Sequence, residues 1–420
     1  MSTRSPFEKS SESSPVHVSN PHTFSPFQET GQCDCACALT GVDTFASPSS
    51  AISLFPRSAQ SSISLPIPLS VWLHLTDRCT LRCAYCYLPH TPADMAPATG
   101  RAAMDAVFRS ALSHHYEGVK FKYSGGEPLL RFPLLLDLHR YAQSCAKRAG
   151  IALDGVILSN GTLLTPEIVR QMQRSGLRLM VSLDGLGAYH DCQRAYAGGR
   201  GSFTEVARGI EMALAGGLVP DISITISGRN APGLPDVVAW MLERELPFSF
   251  NFYRANLQPA QPGLQLDEQL VLEKVRAAYK VIERSLPQRS LSTALADHVN
   301  LAAPHLRACN VGQHYLVFDT LGRVSKCHMD MAHPLTNYDD PDPLATVRAA
   351  PTGLQNPPVD QKPDCQNCEW RYWCAGGCPL QAHFVYGSYR AKSPNCNLYK
   401  ALLPELVRLE SLRLQKFSGQ

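Results

Sequence analysis

The chain has 420 residues, 44% of them hydrophobic, a formal charge of +3 and fifteen cysteines. Its length is enough for two or three domains, each with a core of its own. No apolar run approaches the roughly 18–20 residues of a membrane span, the N-terminus lacks a basic start followed by an apolar stretch, and no Lys/Arg run stands out, so neither a membrane span, a secretory signal nor a nucleic-acid partner is expected.

Residues 1–67 are rich in Ser and Pro, show no sustained periodicity, and read as an extended N-terminal arm. From residue 68 to about 295, short apolar strands alternate with helical spacing. VWLHL (71–75) is a strand that runs into DRCTLRCAYCYLPH (77–90). The spacing then predicts a helix over 100–115, a strand VKFKYS (119–124) ending in GGEP, and a helix over 132–150 closed by Gly150. GVILSNG (155–161) is a strand and turn, and TPEIVRQMQRSG (165–176) carries Thr165 at the N-cap, Pro166 next, and a glycine after its end. LRLMVSLDG (177–185), DISITIS (221–227) and FSFNFYR (248–254) are further strands, with helices over 202–217, 234–245 and 267–285.

This alternation implies right-handed crossovers and a parallel sheet. Six strand–helix units fall short of the eight that close a barrel. The expected fold is therefore α/β, an open partial (β/α)6 barrel of TIM type over residues 68–295. Functional loops belong at the C-terminal ends of its strands, where the cysteine loop, GGEP, SNG and SLDG all fall. Over residues 300–405 the alternation stops while Pro and Cys concentrate, which predicts an irregular domain stapled by metal. Only YKALLPELVRLESLRLQ (399–415) returns to helical spacing.

An odd number of cysteines without a signal peptide argues against a closed disulfide framework and for a reducing, cytoplasmic setting, where clustered thiols bind metal. Cys145 and Cys192 stand alone and read as small buried hydrophobes. Cys79, Cys83 and Cys86 form C-x3-C-x2-C. A structural zinc site takes four protein ligands, usually as two pairs, and this loop does not supply them. A four-iron cluster on three cysteines leaves one iron open to a small chelating molecule.

C-x3-C-x2-C at the end of the first strand, followed by GGEP, resembles the radical S-adenosylmethionine enzymes over residues 70 to about 290; a three-cysteine zinc loop is the other reading. The resemblance implies a 4Fe-4S cluster on Cys79, Cys83 and Cys86 whose open iron is chelated by S-adenosylmethionine. One-electron reduction then yields a 5′-deoxyadenosyl radical that abstracts a hydrogen atom from substrate. It also implies Tyr85 near the adenine, Gly125, Gly126, Glu127 and Pro128 at the methionine amino group, and Asn160, Ser182 and Arg194 at the ribose and carboxylate. Asn160 and Ser182 equally suit turn chemistry.

Cys309, then Gly322 with Cys327 after it, then Cys365-x2-Cys368-x5-Cys374-x3-Cys378 and finally Cys396 resemble the seven-cysteine SPASM extension, which carries two auxiliary 4Fe-4S clusters. By that resemblance Cys365, Cys368, Cys374 and Cys396 hold the distal cluster, and Cys309, Cys327 and Cys378 the nearer one. Some members supply an eighth cysteine where this chain has Tyr315. The nearer cluster is thus one local ligand short: it has an open iron, or something distant completes it. Cys33, Cys35 and Cys37 alternate in QCDCACA, and three roles compete for them: a reactive tail, a ligand source, or a substrate-handling thiol site. His328 and Asp330 follow Cys327 where related enzymes place an acidic general base. His328 suits proton transfer or a hydrogen bond near the cluster.

Enzymes with both modules mostly modify peptides or proteins. The expected function is a maturase that forms an oxidative crosslink, thioether or carbon–carbon, in a ribosomally made precursor. A formylglycine-generating sulfatase maturase is the alternative, weakened by His328 at the acid's position; a non-catalytic metal-binding scaffold is the alternative of another class. No leader-binding domain is evident before residue 68, so recognition runs through a separate leader-binding protein or through the arm. Turnover needs an electron donor such as flavodoxin or ferredoxin.

Overall fold

Alternation along each core strand sorts its side chains between two faces. In β1 (Leu69–His74) the side chains of Leu69, Val71 and Leu73 are fully buried, while Trp72 between them stays partly exposed on the other face. The computed structural model describes residues 67–256 and 261–418. After β1 come α1 (Pro97–Ser113), β2 (Gly118–Ser124), α2 (Phe132–Ala149), β3 (Ala152–Ser159), α3 (Pro166–Arg174) and β4 (Arg178–Ser182). A short α4 (Ala188–Asp191) precedes α5 (Phe203–Ala215), β5 (Asp221–Ile226), α6 (Leu234–Glu243), β6 (Phe248–Phe252) and α7 (Glu268–Arg284). The predicted caps close these helices: Thr165 accepts from the Ile168 N–H at 3.2 Å, and Gly150 ends α2 at φ +66°.

The sheet is open, in the order β6-β5-β4-β3-β2-β1 and then three more strands. All six of these strands are parallel, as expected. Parallel strands covered by helices on both faces usually read as continuous apolar runs. Here VKFKYS alternates: Val119, Phe121 and Tyr123 pack against the helices, and Lys120 and Lys122 take the opposite, inner face. That inner face is free to be polar because the sheet curves around a cavity.

The segment after residue 300 is largely irregular, as expected, but it also adds short strands to the sheet. β7 (Tyr315–Phe318) pairs parallel with β1, from Ser70 opposite Tyr315 to Leu73 opposite Phe318. β8 (Arg323–Ser325) and β9 (Thr336–Asn337) extend the same sheet antiparallel. All four residues of β7 are buried, so it has no alternation to betray it. Then follow α8 (Pro343–Ala349), α9 (Arg371–Cys374), α10 (Pro379–Tyr386) and α11 (Cys396–Phe417). The long last helix buries Leu402, Leu406 and Leu409 and is tied to α7 by Arg276–Glu405 at 2.6 Å and Arg408–Glu283 at 2.5 Å. Among the described residues no helix is long and apolar enough to cross a membrane. Cys33, Cys35, Cys37 and the N-terminal arm to residue 66 lie outside the described residues.

Candidate functional site

Four strand ends converge around the loop that follows β1. Its backbone is stitched to the neighbouring loops: Gly126 N–H donates to Thr76 O at 2.6 Å, Glu127 N–H to Arg78 O at 2.8 Å, Arg82 N–H to Ala195 O at 2.7 Å and Ala84 N–H to Gln193 O at 2.8 Å. Gly126 is needed for this approach, since a Cβ there would lie 2.3 Å from Arg78 O. The Glu127 side chain is fully buried and clasps two loops, accepting from Leu129 N–H at 3.0 Å, Ser159 Oγ at 2.8 Å and Asn160 N–H at 2.8 Å. Pro128 opens the turn behind it.

Cys79, Cys83 and Cys86 are free thiols on this loop. Burial pushes Cys79 up to about 11 and Cys83 to about 12, with the Arg194 charge opposing it. Thiols so desolvated ionise only if a cation offsets the cost, and iron is such a cation. Asn160 Nδ2 donates to Thr80 Oγ1 at 3.0 Å and approaches Cys79 Sγ at 3.8 Å, while Arg194 Nη1 lies 3.7 Å from Cys83 Sγ. Tyr85 stacks beneath the same guanidinium, 5.2 Å from ring centroid to Cζ. The structure thus gathers Tyr85, Gly125, Gly126, Glu127, Pro128, Asn160 and Arg194 about one loop. Ser182 ends β4 on the inner side, half-buried.

One residue at the centre of this arrangement escapes the sequence reading. Asp184, in the same SLDG turn as Ser182, is fully buried and accepts from Tyr85 OH at 2.6 Å, Arg194 Nε at 2.7 Å, Gln193 Nε2 at 3.2 Å and Thr225 N–H at 2.8 Å. It fixes both Tyr85 and Arg194. The only sequence signal was an acid after a strand, followed ten residues later by an arginine.

Seven further cysteines separate into two groups. Cys365, Cys368, Cys374 and Cys396 line one pocket. Cys309, Cys327 and Cys378 line another, a cavity of about 610 Å³ that also receives Lys122, Arg254, His298, Tyr315 and His328. Between the groups lies Lys362, fully buried, its Nζ 3.2 Å from Ala375 O and 3.4 Å from Gly376 O. Gly376, at φ +71°, leaves room for it: a Cβ there would sit 2.7 Å from Lys362 Cδ and 3.3 Å from Cys365 Sγ. Among the described residues no three His, Cys, Asp or Glu side chains are gathered to hold a single metal ion. The all-thiol donor sets of the two cysteine groups are of the kind that suits iron–sulfur clusters, which are held at several metal atoms.

His328 stacks on Trp72 with ring centroids 4.4 Å apart, and its Nδ1 lies 3.1 Å from Tyr315 OH. Burial, with Lys122 and Arg254 nearby, pushes its pKa down to about 3, so the ring is neutral. Asp330 does not join it: the carboxylate pairs with His333 at 2.6 Å and lines a different pocket. Cys378 is the exception among the thiols. Burial raises it, but a hydrogen bond with His298 and the Arg254 charge bring it down to about 7. Of the isolated cysteines, Cys145 is buried as expected. Cys192 is corrected: it is exposed, because it sits past the end of α4 on a surface turn, its Sγ 3.3 Å from Tyr189 O.

The Radical SAM superfamily model matches residues 73–240. The chain is 26% identical to the Fe-coproporphyrin III synthase of Methanosarcina barkeri, over 79% of this chain and 88% of that protein. It is 29% identical to the PqqA peptide cyclase of Xanthomonas campestris pv. campestris, again over 79% and 88%. Its fold is similar to that of native anSMEcpe with bound AdoMet and Cp18Cys peptide, with a TM-score of 0.67 at 17% identity over 82% of this chain and 99% of that one.

Proposed function

This chain carries a Radical SAM domain and is an enzyme of that kind, and from that premise we propose a maturase that oxidises a side chain of a ribosomally made peptide, closing a thioether or carbon–carbon crosslink. In this reading residues 300–405 are a SPASM domain. The observation that carries it is the pairing of β7 with β1, which joins the second cysteine group to the strand that launches the first. The name of one relative, a peptide cyclase, and the peptide bound in the anSMEcpe structure support a peptide substrate.

Cys79, Cys83 and Cys86 would hold the cluster that binds S-adenosylmethionine; Cys309, Cys327 and Cys378, and separately Cys365, Cys368, Cys374 and Cys396, would hold auxiliary clusters. When bound, these groups supply a radical that takes a hydrogen atom and an acceptor for the electron left behind. The chain's own residues do the rest. Asp184 fixes Arg194 and Tyr85 at the mouth, and Glu127 locks GGEP to the end of β3, so the cofactor would meet a preformed cradle. Lys122 and Arg254 give the cavity a positive lining that orients an anionic group of the substrate. His328, held as a neutral ring between Trp72 and Tyr315, would shape the cavity wall beside Cys327 and offer a hydrogen bond there.

That positive lining, and the relative named Fe-coproporphyrin III synthase, favour a second reading in which the substrate is an iron porphyrin bearing carboxylates. The deciding experiment is anaerobic turnover with a one-electron donor such as flavodoxin or ferredoxin. Candidate precursor peptides and Fe-coproporphyrin III are offered in parallel and read by mass spectrometry. Loss of two hydrogens from a peptide, without reaction with an aldehyde reagent, is the expected result and also separates a crosslink from formylglycine. Turnover of the porphyrin alone would overturn the peptide reading.

A further inference from the structure

Cys309, Cys327 and Cys378 supply three sulfurs, one fewer than the irons of a 4Fe-4S cluster, and Tyr315 stands six residues after Cys309, where the SPASM resemblance implies an eighth cysteine in some members. Three histidines line the cavity they share, His298, His305 and His328, and of these His298 is the one paired with a cysteine of the group, its ring within hydrogen-bonding reach of Cys378. Its Nδ1 lies 3.1 Å from the carbonyl oxygen of Ala308, the residue before Cys309. A carbonyl only accepts, so Nδ1 carries the proton and the lone pair belongs to Nε2. Arg254 agrees with this tautomer: its Nη2 is 2.8 Å from Nε2 and can donate to a lone pair. A ring N–H fixed by a backbone carbonyl, with the other nitrogen bare, is the usual posture of a metal-binding histidine.

Two further observations fit. His298 has φ +59°, a left-handed conformation that costs a non-glycine residue about 1–3 kcal/mol and persists only where the surroundings impose it. Arg254 can release the imidazole without becoming unpaired, because the same Nη2 lies 2.6 Å from both carboxylate oxygens of Asp297. Asp297 Oδ1 lies 3.7 Å from Nε2, outside hydrogen-bonding distance, with its carboxylate held by Arg254, while His328 and Tyr315 are engaged with each other and with Trp72.

We propose that His298, through Nε2, is the fourth protein ligand of the cluster held by Cys309, Cys327 and Cys378, which therefore has no iron open to substrate. The proposal rests on the auxiliary-cluster reading above. A neutral imidazole in place of a thiolate leaves the cluster one negative charge lighter and raises its reduction potential, as histidine ligation does in other iron–sulfur proteins.

The test is pulsed EPR on the full chain, reconstituted anaerobically and reduced without S-adenosylmethionine, with natural-abundance and ¹⁵N-histidine protein compared. The expected result is a nitrogen coupling of a directly bound ligand that changes with the isotope and disappears in His298→Ala. His298→Cys should retain the cluster and lower its potential relative to the native protein. Iron analysis of the same samples separates the two levels. About twelve irons per chain with no isotope-sensitive coupling would overturn the histidine and leave three clusters standing. About four irons would sink the auxiliary clusters and this ligand together.

Discussion

The loop that holds Cys79, Cys83 and Cys86 and the segment that holds Cys365, Cys368, Cys374 and Cys396 present the same kind of ligand on opposite kinds of support. The first is pinned by backbone hydrogen bonds to two neighbouring loops and by the buried Asp184 and Glu127. The second runs through short turns, with α9 only four residues long and its cysteines gathered from 365 to 396 around one pocket. A preformed site can lose its metal and keep its shape, whereas a segment with so little regular structure depends on the metal for folding. In the proposed reading the first site would wait for its cofactor and the second would be built by it.

The largest effects test that contrast directly. Replacing Cys79, Cys83 and Cys86 together by Ala should abolish 5′-deoxyadenosine formation while proteolysis of residues 350–395 stays at the native rate. Replacing Cys365, Cys368, Cys374 and Cys396 should speed cleavage there by about tenfold or more. Equal protease resistance in both variants would break the comparison. Next, Asp184→Asn leaves the buried Arg194 charge unpaired and should lower stability by about 3–5 kcal/mol in urea unfolding. A loss below about 1 kcal/mol would mean that Arg194 finds solvent instead.

Glu127 sharpens the comparison through pH. Burial holds its carboxyl at about 7 against 4.5 for the free side chain, despite the N–H groups it accepts from. The unfolded chain therefore ionises first. Between pH of about 4.5 and 7, stability falls as pH rises, by about 3 kcal/mol in all. Glu127→Gln removes the titration and should flatten that slope in unfolding curves taken across the window; an unchanged slope assigns the titration to another group. The smallest effect is that of Asn160→Ala, which loses the bond to Thr80 and should cost about 1 kcal/mol of stability. The same variant should weaken S-adenosylmethionine binding about tenfold or more by calorimetry.

Much of this was legible in the sequence, for identifiable reasons. Strands such as VKFKYS and DISITIS announce themselves because one face is buried and the other only half-buried. Thr165 and Gly150 mark helix ends through local chemistry that needs no tertiary context. β7 was not legible, because a four-residue strand buried on both faces has no period. Asp184 was not, because its weight comes from four donors gathered from distant segments. Asp330 looked like a partner of His328 by proximity in sequence, but the turn at 328–330 aims the two side chains into different pockets. Cys192 looked like its buried counterpart Cys145, and only the fold distinguishes a surface turn from a helix core.

The register of β7 on β1 has a consequence for electron transfer. Tunnelling slows steeply with distance, so whatever fixes the separation of two redox centres also sets the rate between them. Here that separation is gauged by one ladder, from Ser70 opposite Tyr315 to Leu73 opposite Phe318. A slip of one residue would move the C-terminal cysteines by about 3.3 Å along β1 and turn Tyr315 away from the cavity. With the proposed clusters in place, the hydrogen bonds of two adjacent strands would act as the spacer of a molecular wire.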